Sequence, residues 1–179
     1  MKKVILIYGL IAGAVVAAMM FITMPMYNSG TLNLDNGELV GYTTMIIALS
    51  MVFFGVKSYR DNYSKGVISF GKGFKVGILI TLIAATCYGL AWEVHYHRIG
   101  DEFQKKMTER YMADLKAKGA TDQEIEATKQ QWASFNEMYK NFFFRFLFTA
   151  FVEMLIPVGL PISLLTAAIL RKKEFLPAT

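Results

Sequence analysis

From Val4 to Met24 the chain reads VILIYGLIAGAVVAAMMFITM, with no Asp, Glu, Lys, Arg or His in it. A helix rises 1.5 Å per residue, so about 20 such residues cross a hydrocarbon core of about 30 Å, and the feature is hard to reconcile with a soluble fold. Three further segments meet the same requirement, Val40–Val56, Gly73–Val94 and Phe142–Leu170. Apolar and aromatic residues make up 54% of the 179 positions and charged residues only 18%. These features predict an all-α integral membrane protein, a single membrane domain over residues 1–179 with four transmembrane helices. The first segment follows Lys2 and Lys3 as a signal peptide would, but its apolar run is longer than a usual h-region and no polar cleavage region follows. It is expected to be a retained span.

Orientation follows from the short connections. Between the first two spans the chain has no Lys or Arg and carries Asp35 and Glu38, whereas the next connection carries Lys57, Arg60, Lys65, Lys72 and Lys75. With Lys2 and Lys3 at one end and Arg171, Lys172 and Lys173 at the other, both termini and the second connection are expected in the cytoplasm. The net charge of +5 therefore reads as topology and not as nucleic-acid binding. The basic connection, interleaved with Tyr59 and Tyr63, also suits anionic lipid headgroups. Topology setting alone explains it equally well.

The long connection at 96–141 then lies outside. Its "AKGATDQE" holds Gly119 as a helix stop and Thr121 as an N-cap, with Glu124 three residues on as in a capping box. After the turn, Ile125, Thr128, Trp132, Phe135, Tyr139 and Phe142 recur with 4-3 spacing; before it, Ile99, Phe103, Met107, Tyr111 and Leu115 recur every four residues. Two helices that bury these stripes against each other would form an outer helical hairpin continuing spans three and four. An amphipathic pair lying on the headgroups is the alternative.

Ionisable groups inside membrane segments need a partner or a pathway. A hairpin turning near Gly119 puts Glu93 level with Arg145, as an intramembrane ion pair at the outer edge. Counting from the basic anchors Lys75 and Arg171 instead puts Glu93 level with Glu153. Glu153 stands in "FVEMLIPVGLP". In an α-helix Pro157 has no amide hydrogen for the carbonyl of Glu153, and Pro161 likewise frees that of Pro157. A carboxylate beside released carbonyls makes Glu153, Pro157 and Pro161 a candidate ion or proton site. Prolines are frequent in membrane helices, so a packing kink is the favoured reading.

Other motifs fall short of chemistry. In "WEVHYHR", Glu93 and His97 share a helix face while His95 points elsewhere, so no zinc-like set of three ligands forms. Gly71, Gly73 and Gly77 lack the P-loop pattern, and the pairs Gly9/Gly13 and Gly73/Gly77 read as close helix packing. Cys87, the single cysteine, reads as a small buried hydrophobe. Neither a catalytic triad nor a cofactor motif is visible, and no enzyme activity or cofactor is expected.

The run "FFGVKSYRD", followed by "G" and "ISFGKGFKVG" within residues 51–94, resembles the bacterial membrane proteins of the domain-of-unknown-function family numbered 4199. The likeness extends more loosely over most of the chain. It implies a short four-helix protein of the bacterial inner membrane and supplies no catalytic residues. The expected role is a structural or partner-binding membrane module, with a membrane-protein partner or a second copy meeting the outer hairpin. A small proton- or cation-coupled transporter using the kinked last helix is the alternative.

Overall fold

The structure is a computed structural model that describes residues 1–28 and 34–172. Lys173 lies outside the described residues, as does the side chain of Asp35. The described chain is all helical, in the order α1 (Lys2–Asn28), α2 (Leu34–Tyr63), α3 (Phe70–Ala117), α4 (Asp122–Lys140), α5 (Phe142–Leu147), a π-helical segment (Phe148–Gly159) and α6 (Leu160–Leu170). Four stretches are long and apolar enough to cross a membrane: Lys2–Met26, Asn36–Tyr63, Phe70–Ala117 and Phe142–Leu170. Helices suit such a chain because each satisfies its backbone hydrogen bonds internally, where lipid offers none. The second and third helices run well past their apolar stretches, since nothing stops them before Lys65 and Gly66 (φ +50° and +77°) or Gly119 (φ +83°).

Two compact units divide the chain, one formed by Met1–Ala91 with the residues from Thr149 onward, the other by Trp92–Phe148. In the first unit Leu49, Val52 and Val56 of α2, Val76 and Ile80 of α3, and Met154 of the π-helical segment are fully buried. Small residues set how closely its helices approach. A Cβ built on Gly13 of α1 would lie 2.6 Å from Cβ of Cys87, and one on Gly9 2.7 Å from Cβ of Ile83, so α1 rests almost backbone-on-side-chain against α3. Gly77 of α3 is held less tightly, a Cβ there lying 3.3 Å from Cβ of Ser163 of α6, and Gly73 faces Ala167 at ordinary contact distance.

Polar groups turn inward in this unit. The hydroxyl of Thr81 donates to the carbonyl of Gly77 at 3.1 Å and lies 3.2 Å from Oγ of Ser163, and both side chains are fully buried. Large apolar side chains turn outward, with Ile169 still 69% exposed. That inversion of the usual soluble pattern is what a lipid-facing surface requires.

The last span departs from a simple proline kink. Over Phe148–Gly159 the chain winds as a π-helix, each amide reaching back five residues and not four. In an α-helix the Pro157 ring would collide with the carbonyl of Glu153. The wider turn removes that collision, and by the i→i+5 pattern the Glu153 carbonyl faces the amide of Val158. The carbonyl that loses its amide is that of Val152, so the expectation that Pro157 strips Glu153 is corrected. Pro161 falls in the opening turn of α6, where a missing amide hydrogen costs least.

Gly159 closes the π-helical segment beneath Thr81: a Cβ there would stand 2.1 Å from Cγ2 of Thr81, whose own hydroxyl is tied down. Gly159→Val should therefore lower stability in detergent by about 1–3 kcal/mol through overpacking. Gly41→Ala, in α2 where a Cβ meets nothing within 4 Å, should leave the unfolding midpoint unchanged or raise it slightly through helix propensity. Equal midpoints for the two variants would contradict this packing.

Candidate functional site

The unit Trp92–Phe148 is built around a reversal of the chain at Gly119. The amide of Ala120 donates to the carbonyl of Leu115 at 3.1 Å, closing the end of α3. Thr121 then opens α4: its Oγ1 accepts from the Glu124 amide at 3.3 Å, and its own amide donates to Oε2 of Glu124 at 2.8 Å. The Thr121 amide foremost, and the Thr121 hydroxyl, which donates to the same Oε2 at 2.9 Å, hold the Glu124 carboxyl below the usual glutamate range. Helix α4 returns along α3, bringing Trp132 to 5.2 Å from Tyr111 by ring centroid, Nδ2 of Asn136 to 3.2 Å from Oγ1 of Thr108, and Tyr139 to 5.8 Å from Tyr96.

Helix α3 is bent within this unit. The rings of Trp92 and Phe103 meet edge to face at 5.1 Å. Eleven residues of straight helix separate such a pair by about 16 Å, more than two aromatic side chains span. The axis must curve towards this face between them, where Gly100 lies with the Tyr96 ring folded over it.

Helix α4 also ends earlier than the stripe of apolar residues implied. Asn141 is extended (φ −72°, ψ 125°), and its Oδ1 accepts from the amide of Phe144 at 3.2 Å, so it terminates α4 and caps α5. Spans three and four were expected to continue unbroken into the connection; on the α4 side they do not. Asn side chains compete for backbone amides in this way, and the local sequence Asn141-Phe142-Phe143-Phe144 offers nothing that restores the lost turn. In consequence Phe142 leaves the stripe and stacks on Phe146, and Phe143 is 72% exposed.

The break leaves carbonyls at the end of α4 without amide partners. Arg145 takes them: Nη1 donates to the carbonyl of Tyr139 at 2.9 Å and of Lys140 at 3.1 Å. On its other edge Nε donates to Oε1 of Glu93 at 2.9 Å and Nη2 to Oε2 of the same carboxylate, a bidentate pair. The guanidinium also lies over the Tyr96 ring, 3.7 Å from its centroid. Arg145 is only 2% exposed and Glu93 6%. Such burial is tolerable because nearly every donor of the guanidinium and both oxygens of the carboxylate are engaged. At the rim, Nζ of Lys140 donates to Glu137 at 2.6 Å, which holds the Lys140 ammonium above its usual range.

The structure thus brings Glu93 and Arg145 together. The parts of the site played by Tyr96 and by the two carbonyls are absent from the sequence reading. Tyr96 could have been found from its spacing, three residues after Glu93 and so on the same helix face. The carbonyls could not, because they depend on the break at Asn141. With its carboxylate on Arg145, Glu93 is occupied; His95 is buried and His97 exposed, and no three His, Cys, Asp or Glu side chains converge among the described residues.

In the other unit, Glu153 is half-buried and its Oε2 accepts from the phenol of Tyr88 at 3.3 Å, which ties the π-helical segment to α3. Pro157 lies one turn on, and Pro161 opens α6. Of the basic residues, Arg60 pairs with Asp61 at 2.7 Å and Lys72 stands 5.6 Å from the centre of the Tyr59 ring, while Lys57, Lys65 and Lys75 are exposed.

Removing one member of the buried pair leaves the other charged and unpartnered, so Glu93→Gln should cost about 3–5 kcal/mol of stability in detergent. Arg145→Met should cost more, since Tyr139 and Lys140 lose their donor as well. The double variant Glu93→Leu/Arg145→Met should recover most of the loss and fall short of wild type by about 1–3 kcal/mol for those carbonyls. Additive losses in the double variant would show that the two residues do not act as a pair.

No curated protein and no solved structure matches this chain. One family model does, over residues 7–172, with the description "protein of unknown function (DUF4199)". That match takes in most of α1 and all of α2 to α6, the Glu93–Arg145 pair included, so the chain belongs to the DUF4199 family.

Proposed function

We propose that this protein is a non-enzymatic, multi-pass module of the bacterial inner membrane, with both termini cytoplasmic and 96–141 outside as a helical hairpin that meets a membrane-protein partner or a second copy. The observation that carries the reading is the bidentate pair between Arg145 and Glu93. A passive linker between two spans has no need of it. Here the pair joins α3 to the α4–α5 junction and closes the end of α4, giving the connection a defined shape of its own. A rigid element costs little ordering when it binds, which is what a contact surface needs.

The same junction supplies exposed anchors. Met138 of α4 is exposed there, and Phe142 and Phe143, in the first turn of the fourth apolar stretch just past Asn141, are exposed beside it; aromatic residues and Met are enriched where proteins meet. The charges along the rest of the hairpin lean to opposite signs, six basic and four acidic residues from Arg98 to Lys118 against two basic and four acidic from Asp122 to Lys140. They favour one orientation of a partner over others.

A photo-crosslinking residue placed at Phe143 of the full-length protein in native membranes tests this. Discrete adducts at that position, to a second copy or to one partner protein, are expected, with none from a probe at the lipid-facing Ile169. Lipid adducts alone at both positions would overturn the reading.

A further inference from the structure

One contact in the first unit joins segments that the sequence holds a hundred residues apart. Helix α2 ends in a tight turn in which Lys65 and Gly66 both take positive φ, and the Gly66 amide donates to the carbonyl of Arg60 at 3.0 Å. The chain then extends at Ile68, whose amide donates to the carbonyl of Lys172 at 3.2 Å while the Lys172 amide donates back to Ile68 at 3.0 Å. Ile68 is buried at this bridge, 2% exposed. Lys172, just beyond α6, is thereby fastened beside the turn that leads from α2 to α3.

The bridge gathers charge. Lys57, Lys65, Lys72, Lys75, Arg171 and Lys172 are all exposed on this end of the unit. Between Lys57 and Lys75 the sequence holds one acid, Asp61, and Arg60 already engages it at 2.7 Å. Lys57 and Lys172, from opposite sides of the bridge, both lie within electrostatic reach of that carboxylate, so they belong to one patch. Exposed Tyr63 and Phe70 border it, as aromatic side chains do at the level of lipid headgroups.

We propose that this composite face binds anionic lipid headgroups, with the phosphate of a lipid such as phosphatidylglycerol held between the α2–α3 turn and Arg171 and Lys172. Orientation during insertion needs positive charge in each cytoplasmic segment but no bond between segments. A hydrogen-bonded bridge that fixes Lys172 next to the Lys65 turn concentrates charge beyond what orientation requires. Each basic residue near an anionic surface contributes roughly fivefold in lipid affinity.

The full-length protein in neutral detergent, given equal amounts of phosphatidylglycerol and phosphatidylcholine, tests the proposal by native mass spectrometry of the retained lipid. Wild type should retain phosphatidylglycerol in excess, and added salt should reduce the excess. The triple variant Lys65→Gln/Lys72→Gln/Lys172→Gln should lower the preference by about 100-fold. Arginine at the same three positions should preserve it, which separates lost charge from lost fold. Lys105→Gln/Lys116→Gln/Lys118→Gln, in the other unit, should change nothing. Equal retention of both lipids by wild type, an unchanged preference in the first triple variant, or equal losses in the two glutamine variants would each overturn it.

Discussion

Hydrocarbon supplies no hydrogen bonds, and every unusual feature of this chain answers to that constraint. In the unit formed by Met1–Ala91 and the residues from Thr149 onward, small residues let helices approach until backbone meets side chain, as at Gly13 with Cys87 and Gly159 with Thr81. The fully buried hydroxyls of Thr81 and Ser163 meet each other, and that of Thr81 also donates to the Gly77 carbonyl one turn back. A proline in the middle of a span threatens the same economy. The π-helical winding around Pro157 removes the clash of its ring with the Glu153 carbonyl, although one carbonyl still goes without an amide.

Arg145 solves a related problem in the unit Trp92–Phe148. Breaking a helix at Asn141 exposes carbonyls, and burying an arginine exposes donors; placed together, each satisfies the other. Glu93 neutralises the remaining charge, and Tyr96 covers the guanidinium face. One side chain therefore links two helices, a capped break and an aromatic platform. That convergence is the reason for reading this region as a shaped contact surface.

Much of this was legible beforehand where the cause is local. The four apolar stretches, the stop at Gly119 and the Thr121–Glu124 box follow from residue type and spacing, and all are present. The resemblance carried by "FFGVKSYRD" and "ISFGKGFKVG" agrees with the family match over 7–172. Features that depend on competition between neighbours were not legible. Asn141 had two uses, continuing a helix or capping one, and its residue type alone does not say which. Pro157 implied a kink, and nothing in the local sequence marks the five-residue winding that accommodates its ring instead. The bridge between Ile68 and Lys172 joins distant segments with no marker in either.

The topology we propose has the four apolar helices crossing the membrane, with the basic α2–α3 turn in the cytoplasm and residues 96–141 outside. Single-cysteine labelling in a Cys87→Ser background measures it directly, with a membrane-impermeant maleimide applied to intact cells and to inside-out vesicles. The account predicts that Ser134→Cys is labelled in intact cells and Lys65→Cys only in inside-out vesicles. Labelling of both positions from the same side would contradict it.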